Sequence, residues 1–321
     1  KSYNLLLKSK DKPLINRVIQ GKYPPGSTVK PFMGLIGLEN GVRVNTDETW
    51  CPGWFSLKGH AHRYRDWKKQ GHGHTDLHKA IMQSCDVYFY ILAYELGIDR
   101  IFEGMSQFGF GQVTGIDIGG ETKALMPSRK WKRKALGQPW YPGETLILGI
   151  GQGYYLATPL QLAKATATLA NKGHIIRPRL VSSTSNSITN EVNAIPNHSE
   201  NKVTLSSSAY WDDMIASMKD VVHGVGGTAW RSGLNAEYNF AGKTGTAQVI
   251  GIAQDKEYKK EEIAEEFQDH ALFIAFAPVE APRIAIAIIV ENGGGGSRTA
   301  APIARKMFDH FMNNRDLINK G

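Results

Sequence analysis

The stretch that most constrains this chain is Pro24-Pro25-Gly26-Ser27-Thr28-Val29-Lys30. Pro25 and Gly26 interrupt the backbone and an apolar segment, Phe32 to Leu38, follows, so the pattern predicts a loop feeding a helix over 27–40. Residues three apart share a helix face, which places Lys30 one turn beyond Ser27 on the same side. A serine hydroxyl becomes a nucleophile only when something takes its proton, and a neighbouring lysine is one group that does so. Free lysine titrates near 10.4, so Lys30 serves as a base only if burial or a second cation disfavours its charge. The rest of the chain therefore has to deliver a second cation and electrophile-binding groups to the start of this helix.

Two later stretches have the right chemistry. Lys243-Thr244-Gly245-Thr246 lies in a segment, 239–250, that reads as a strand, with Gly245 where a ligand backbone could approach closely. Ser84-Cys85-Asp86 ends a short helical segment that begins at Leu77. Ser-x-x-Lys, a Ser-Asp-Asn type triplet and Lys-Thr-Gly together are the motif set of serine β-lactamases and penicillin-binding proteins. The runs Tyr23 to Lys30, Tyr64-Arg65-Asp66-Trp67-Lys68-Lys69, Gly149-Ile150-Gly151-Gln152-Gly153-Tyr154, Gly245-Thr246-Ala247-Gln248-Val249 and Glu291-Asn292-Gly293-Gly294 narrow this. With them the chain resembles, over essentially its whole length, the penicillin-binding protein 2 family: class B D,D-transpeptidases of cell-wall elongation in rod-shaped Gram-negative bacteria. Asp86 departs from the wider superfamily, where asparagine is usual.

The resemblance implies an α/β (α+β) fold, an antiparallel sheet flanked by helices, with 1–26 an approach segment from an N-terminal stalk and 27–321 the transpeptidase domain. It implies that Ser27 attacks the D-Ala-D-Ala carbonyl of a peptidoglycan stem peptide and Lys30 takes its proton. Lys243 would supply the second positive charge, and Ser84, oriented by Asp86, would pass a proton to the leaving amine. The oxyanion would lie between the backbone N–H groups of Ser27 and Thr246, and Thr244, Gly245 and Thr246 would hold the substrate carboxylate. β-Lactams would be covalent inhibitors, and no cofactor would be needed for catalysis. A RodA-type membrane glycan polymerase is the implied partner, at the periplasmic face of the inner membrane.

A serine β-lactamase shares the motifs but needs a group that activates a deacylating water. Gly143-Glu144-Thr145 is a weak match to such a loop. A D,D-carboxypeptidase and a non-catalytic β-lactam sensor or scaffold also compete with the transpeptidase reading. A scaffold has no need of Lys30, Ser84 and Lys243 together.

Composition sets the outer limits. With 41% hydrophobic and 21% charged residues in 321, the chain is ordinarily globular. Its net charge of +8 suits an acidic partner. No nucleic-acid motif appears, so nucleic acid is set aside. No apolar run approaches the ~18 residues of a membrane span. Nor is there a signal peptide, and the chain starts at Lys1-Ser2-Tyr3-Asn4, so the anchor and stalk are expected to lie outside this piece.

Residues 44–76 are irregular, with Trp50, Trp54 and Trp67, and five of the ten histidines fall between His60 and His78. A loop this long inside a domain is functional or held by something. The only cysteines, Cys51 and Cys85, flank its histidine-rich part. In an oxidising compartment the plain reading is a disulfide, with two free buried thiols as a further alternative. With Asp66 and His72 between them, Cys51, Asp66, His72 and Cys85 are also a four-ligand set for a closed structural zinc site. His60, His62, His74 and His78 are further candidate ligands. Cys85, between Ser84 and Asp86, should point away from the cleft, so either bond would brace the middle motif from behind.

Further elements follow from periodicity: a helix over 75–97 broken at Ser84, helices over 159–171 and 208–222, strands over 270–278 and 283–291, and a closing helix over 302–312. Residues 181–202 read as a surface excursion, and 255–269 as a charged hairpin tip.

Overall fold

The computed structural model describes residues 2–196, 202–248, 264 and 268–314. Two short helices, α1 (Ser2–Lys8) and α2 (Arg17–Gln20), lead to a 3-10 turn at Gly26–Val29 and then α3 (Lys30–Glu39). The helix predicted over 27–40 thus has two parts. Pro31 cannot donate a backbone hydrogen bond, so the α-helix starts at Lys30 with proline in its first turn, and Ser27 sits in the tighter turn before it.

Two antiparallel ribbons follow, β1 (Thr49–Cys51) with β4 (Gly73–Thr75), and β2 (Trp54–Phe55) with β3 (Tyr64–Arg65). Helix α4 (Leu77–Met82) is capped by Asp76, whose carboxylate accepts from the Lys79 N–H. After Ser84 the chain re-enters helix as α5 (Asp86–Gln107), which bends at Gly97. Helices α6 (Arg129–Leu136), α7 (Pro142–Gly149) and α8 (Pro159–Ala170) come next. The start of α8 is fixed by a reciprocal cap between Thr158 and Gln161 with Pro159 in the first turn. The predicted excursion carries an exposed hairpin, β5 (Ser183–Ser185) with β6 (Val192–Ala194).

Helix α9 (Ala209–His223) and the single turn α10 (Trp230–Gly233) precede the main sheet. That sheet is antiparallel, in the order β7 (Ala241–Ala247), β8 (His270–Ala277), β9 (Ile284–Val290), and α11 (Ala300–Asn313) closes the chain. Strand β8 is buried residue after residue from Ala271 to Ala277, so the sheet is covered on both faces, by α8, α9 and α11. Core side chains such as Phe32, Phe89, Tyr155, Phe240, Phe273 and Phe308 fill the space between these layers. Strand β7 is an edge among the described residues, and the Gly26–Val29 turn packs beside it. Residues 249–250 of the expected strand, and the 255–269 segment apart from positions 264, 268 and 269, lie outside the described residues.

The first 26 residues are tied to the domain. Tyr23 exchanges backbone hydrogen bonds with Ala157, and Arg17 and Tyr23 both reach Glu291 at the end of β9, at 3.0 and 2.6 Å. No helix among the described residues is long and apolar enough to cross a membrane.

Candidate active site

The fold brings the three motifs to one place, and backbone packing explains how. Ser27 lies in the 3-10 turn, with its carbonyl accepting the Lys30 N–H and the Thr28 hydroxyl donating to the Pro25 carbonyl at 2.7 Å. This turn rests directly on β7. Gly26 has a φ of +55°, and a Cβ there would lie 2.7 Å from the Thr246 carbonyl oxygen. A Cβ on Gly245 would lie 2.7 Å from Cγ2 of Thr28. The expectation that Gly245 makes room for a ligand is therefore corrected. The glycine admits the chain's own Ser27 turn.

Lys30 is fully buried, and its ammonium donates to three acceptors of the middle motif: the Ser84 carbonyl at 2.9 Å, the Ser84 hydroxyl at 3.2 Å and Asp86 Oδ1 at 2.6 Å. Lys243, also fully buried, reaches the same Ser84 hydroxyl from β7 at 2.8 Å and its neighbour's carbonyl, Thr244 O, at 3.1 Å. Two lysines thus occupy the acceptor positions of the Ser84 oxygen, which leaves its proton free to be donated. Ser84 holds this place from a left-handed backbone conformation, φ +60°, which costs a non-glycine residue energy and tends to occur at functional sites. Ser27 is the half-exposed member of an otherwise buried turn, and no described residue hydrogen-bonds its hydroxyl.

Lys243 is held well below the lysine range, first by burial and then by the charge of Lys30, with Asp86 opposing. Lys30 is the amine with a carboxylate partner, Asp86. Burial pushes Asp86 up from its ordinary value while Lys30 pulls it back.

Thr246 is exposed beside the cleft, whereas Thr244 is buried and its hydroxyl meets Thr228 at 2.8 Å. Sequence reasoning does not reach Thr228; its only signal is the Gly226-Gly227 turn that swings it towards β7. Gln152 carries no role in the sequence beyond its place in the Gly149 to Tyr154 run, but its amide donates to the Thr246 carbonyl at 3.1 Å. Trp67 is a similar case within the Tyr64 to Lys69 run. Its indole N–H donates to the Gln83 and Ser84 carbonyls, both at 3.1 Å, and its backbone N–H to Asp86 Oδ2 at 3.1 Å.

Behind this motif, Cys51, Asp66, His72 and Cys85 gather, all buried, with one potential ligand atom from each within 4.8 Å of the others. Asp66 Oδ2 lies 3.5 Å from Cys51 Sγ and 3.4 Å from Cys85 Sγ, and His72 Nδ1 lies 3.7 Å from Cys51 Sγ and 3.4 Å from Asp66 Oδ1. The disulfide expectation is corrected by this arrangement: both thiols are free, with the Asp66 carboxylate in contact with each. Two sulfurs, an imidazole nitrogen and a carboxylate oxygen gathered within 4.8 Å of one another are donors that zinc takes together. The donor set therefore fits zinc. Cys51 is pulled down to about 5 and Cys85 is pushed up, in each case first by the hydrogen bond between them, so a metal would have to displace the proton that Cys85 keeps. His60, His62, His74 and His78 are outside the cluster, and His78 instead bridges Asp220 and Ser217 at 3.0 and 3.1 Å.

Comparison with known proteins agrees with this geometry. The sequence profile of the penicillin binding protein transpeptidase domain matches residues 1–309. The chain is similar to the peptidoglycan D,D-transpeptidase MrdA of Haemophilus influenzae, 42% identical over 316 residues, 98% of this chain and 48% of that protein. It thus spans about half the length of the curated relatives it matches. The crystal structure of Pseudomonas aeruginosa PBP2 in complex with WCK 5153 superposes with a TM-score of 0.86 at 46% identity, over 98% of this chain and 66% of that one. The Helicobacter pylori PBP2 in its complex with MreC gives a TM-score of 0.85 at 32% identity, over 97% of this chain and 54% of that one. On these grounds the chain belongs to the penicillin-binding protein transpeptidase family.

Proposed function

We propose that this domain cross-links peptidoglycan stem peptides through a Ser27 acyl-enzyme during cell elongation, and that β-lactams trap it at that stage. The single observation that carries the reading is the Ser84 hydroxyl bonded to both Lys30 and Lys243 beside the Ser27 turn. In this reading the stem peptide lies along β7 as an added strand, on the side away from β8, with Thr246 and the Thr244–Thr228 hydroxyl pair near its terminal carboxylate. Ser27 attacks the penultimate D-Ala carbonyl and the oxyanion is met by the N–H groups of Ser27 and Thr246. Lys30 accepts the Ser27 proton once its own has moved across the 2.6 Å contact to Asp86, whose raised affinity for a proton suits that transfer. Asp86 in place of asparagine thereby gains a role. Ser84 passes a proton to the leaving D-Ala amine, replenished through the two lysines. An amine of a second stem peptide then attacks the ester carbonyl and releases Ser27.

The Cys51–Asp66–His72–Cys85 cluster is proposed to hold a structural zinc. The ion would fix the turn carrying Ser84 and Asp86 and take no part in the chemistry. Asp66 supports this role through its backbone contacts, since its Oδ2 accepts the Asp86 N–H at 2.8 Å and the Val87 N–H at 3.2 Å at the start of α5. By analogy with the relatives, the whole protein is proposed to sit at the periplasmic face of the inner membrane, with 1–26 leading from a stalk. An MreC-like protein and a RodA-type polymerase are its proposed partners.

The test is incubation with benzylpenicillin followed by intact mass and peptide mapping. A single adduct on Ser27 that persists for many minutes supports an acylating transpeptidase. A fleeting adduct with drug consumed would move the assignment to β-lactamase, and no adduct on folded protein would leave a binding module.

A further inference from the structure

Helix α6 concentrates positive charge on one face. Lys130, Arg133 and Lys134 are all exposed and stand at i, i+3 and i+4, so three cations share one face. Like charges at these spacings repel. Arg129 and Lys130 put positive charge into the first turn, where the helix dipole favours negative charge, while Arg133 and Lys134 in the last turn suit the dipole. Arg129 is answered by Asp99 at 2.9 Å, but Lys130, Arg133 and Lys134 enter no ion pair among the described residues.

What holds the helix is its opposite side. Lys132 is fully buried, pairs with Glu144 and lies 4.4 Å from the Tyr141 ring centre and 5.8 Å from that of Tyr154. Trp131 packs on Tyr154 with ring centres 5.2 Å apart. These contacts tie α6 to the cleft, because Tyr154 is two residues from Gln152, whose amide binds the Thr246 carbonyl, and Gly151 accepts the Gly26 N–H at 2.9 Å. Through Trp131 and Lys132, α6 is thus joined to the Gly151–Tyr154 stretch that borders the Ser27 turn.

We propose that Lys130, Arg133 and Lys134 form a docking surface for a carboxylate-bearing peptide, the part of a peptidoglycan strand that continues out of the cleft; this rests on the transpeptidase reading above. Charge complementarity selects the partner: three cations with no ion pair among the described residues, on a chain of net charge +8, fit a polyanion. A lipid surface fits poorly. Membrane-surface helices insert an apolar face, whereas Trp131 packs on Tyr154 and Leu136 is the one large exposed apolar side chain of α6, at 45%.

The test compares the unaltered protein with Lys130→Glu/Arg133→Glu/Lys134→Glu, with unchanged melting temperature as the check on folding. The probes are a fluorescent D-Ala-D-Ala peptide with two internal carboxylates and its amidated counterpart. The variant is expected to bind the carboxylated peptide about tenfold more weakly, with a flattened salt dependence, and the amidated one as before. Lys130→Arg/Lys134→Arg should keep the original affinity. Equal loss for both peptides, no loss for either, or a defect confined to phosphatidylglycerol vesicles would overturn the proposal. Benzylpenicillin acylation of the unaltered protein is measured separately. Its failure would remove the transpeptidase reading, whereas acylation without charge discrimination would remove only the docking surface.

Discussion

The Ser84 hydroxyl accepts a hydrogen bond from Lys243 Nζ at 2.8 Å, joining the middle motif to an edge strand 159 positions later. With Lys30 on the same oxygen, this serine is where the two buried amines communicate. Ser84→Ala is expected to slow acylation by benzylpenicillin about 10²–10⁴-fold, the usual worth of a positioned proton-transfer group. Rapid-mix mass spectrometry measures this, beside a melting curve that confirms folding. A rate within threefold of the parent would remove Ser84 from the proton path.

The position of Lys243 gives stability a pH dependence of definite sign. An unfolded lysine titrates near 10.4, and the folded environment holds Lys243 well below the lysine range by burial and by the charge of Lys30. Between those two values the unfolded chain binds more protons, so stability rises with pH. The contribution of Lys243 is therefore complete above ~10.4 and is lost as pH falls through the folded value. Lys243→Met removes the titrating amine at similar length. The urea midpoint of the parent should climb more steeply between pH 7.5 and 10 than that of the variant. Parallel lines would mean that the buried amine is not depressed.

How much of this is legible in the sequence depends on the range of the interaction. Helix α8 can be read because Thr158, Pro159 and Gln161 mark its start within four residues, and α9 because Trp211, Ile215, Met218 and Val222 repeat along one face. Spacing and resemblance together point to Lys30, Ser84, Asp86 and Lys243. Thr228 and Gln152 cannot be read in the same way, because a single threonine after a glycine pair and a single glutamine gain a role only when β7 closes on the Ser27 turn. Charge distribution is also out of reach, since it depends on which lysine is buried beside a carboxylate and which beside only a hydroxyl and a carbonyl. Gly245 misleads for a related reason. Spacing marks where a side chain is excluded, and the excluding neighbour, Thr28, comes from the far end of the chain.

That neighbour makes the glycine testable. Gly245→Ala would bring a methyl to 2.7 Å from Cγ2 of Thr28 and 3.1 Å from Cβ of Leu272. The Ser27 turn must move away from β7, and a misplacement near 1 Å costs on the order of 10²-fold in rate. Thr28→Ser deletes the clashing methyl and keeps the hydroxyl that donates to the Pro25 carbonyl. The double variant Gly245→Ala/Thr28→Ser should therefore recover most of the acylation rate lost in Gly245→Ala alone. Additive loss in the double variant would show that the Thr28 contact is not what requires the glycine.

The metal reading can be separated from the catalytic one because the cluster reaches Ser84 and Asp86 through the backbone, through Asp66 and through Trp67, which packs on His72. Protein purified without chelator is expected to contain one zinc per chain by elemental analysis, with both thiols blocked against alkylation until the metal is removed. Cys51→Ser should lose the ion and lower the melting temperature by at least about 5 °C, on the scale of 2–4 °C per kcal/mol for a domain of this size class. Acylation should slow as well, because Asp66 holds the first N–H groups of α5 beside Asp86. The order of events distinguishes a brace from a catalyst. Added chelator should first raise the mobility of residues 44–85 in hydrogen exchange, and acylation should fall only as that loosening proceeds. A metal-free protein with a Cys51–Cys85 disulfide and an unchanged melting temperature would restore the disulfide reading.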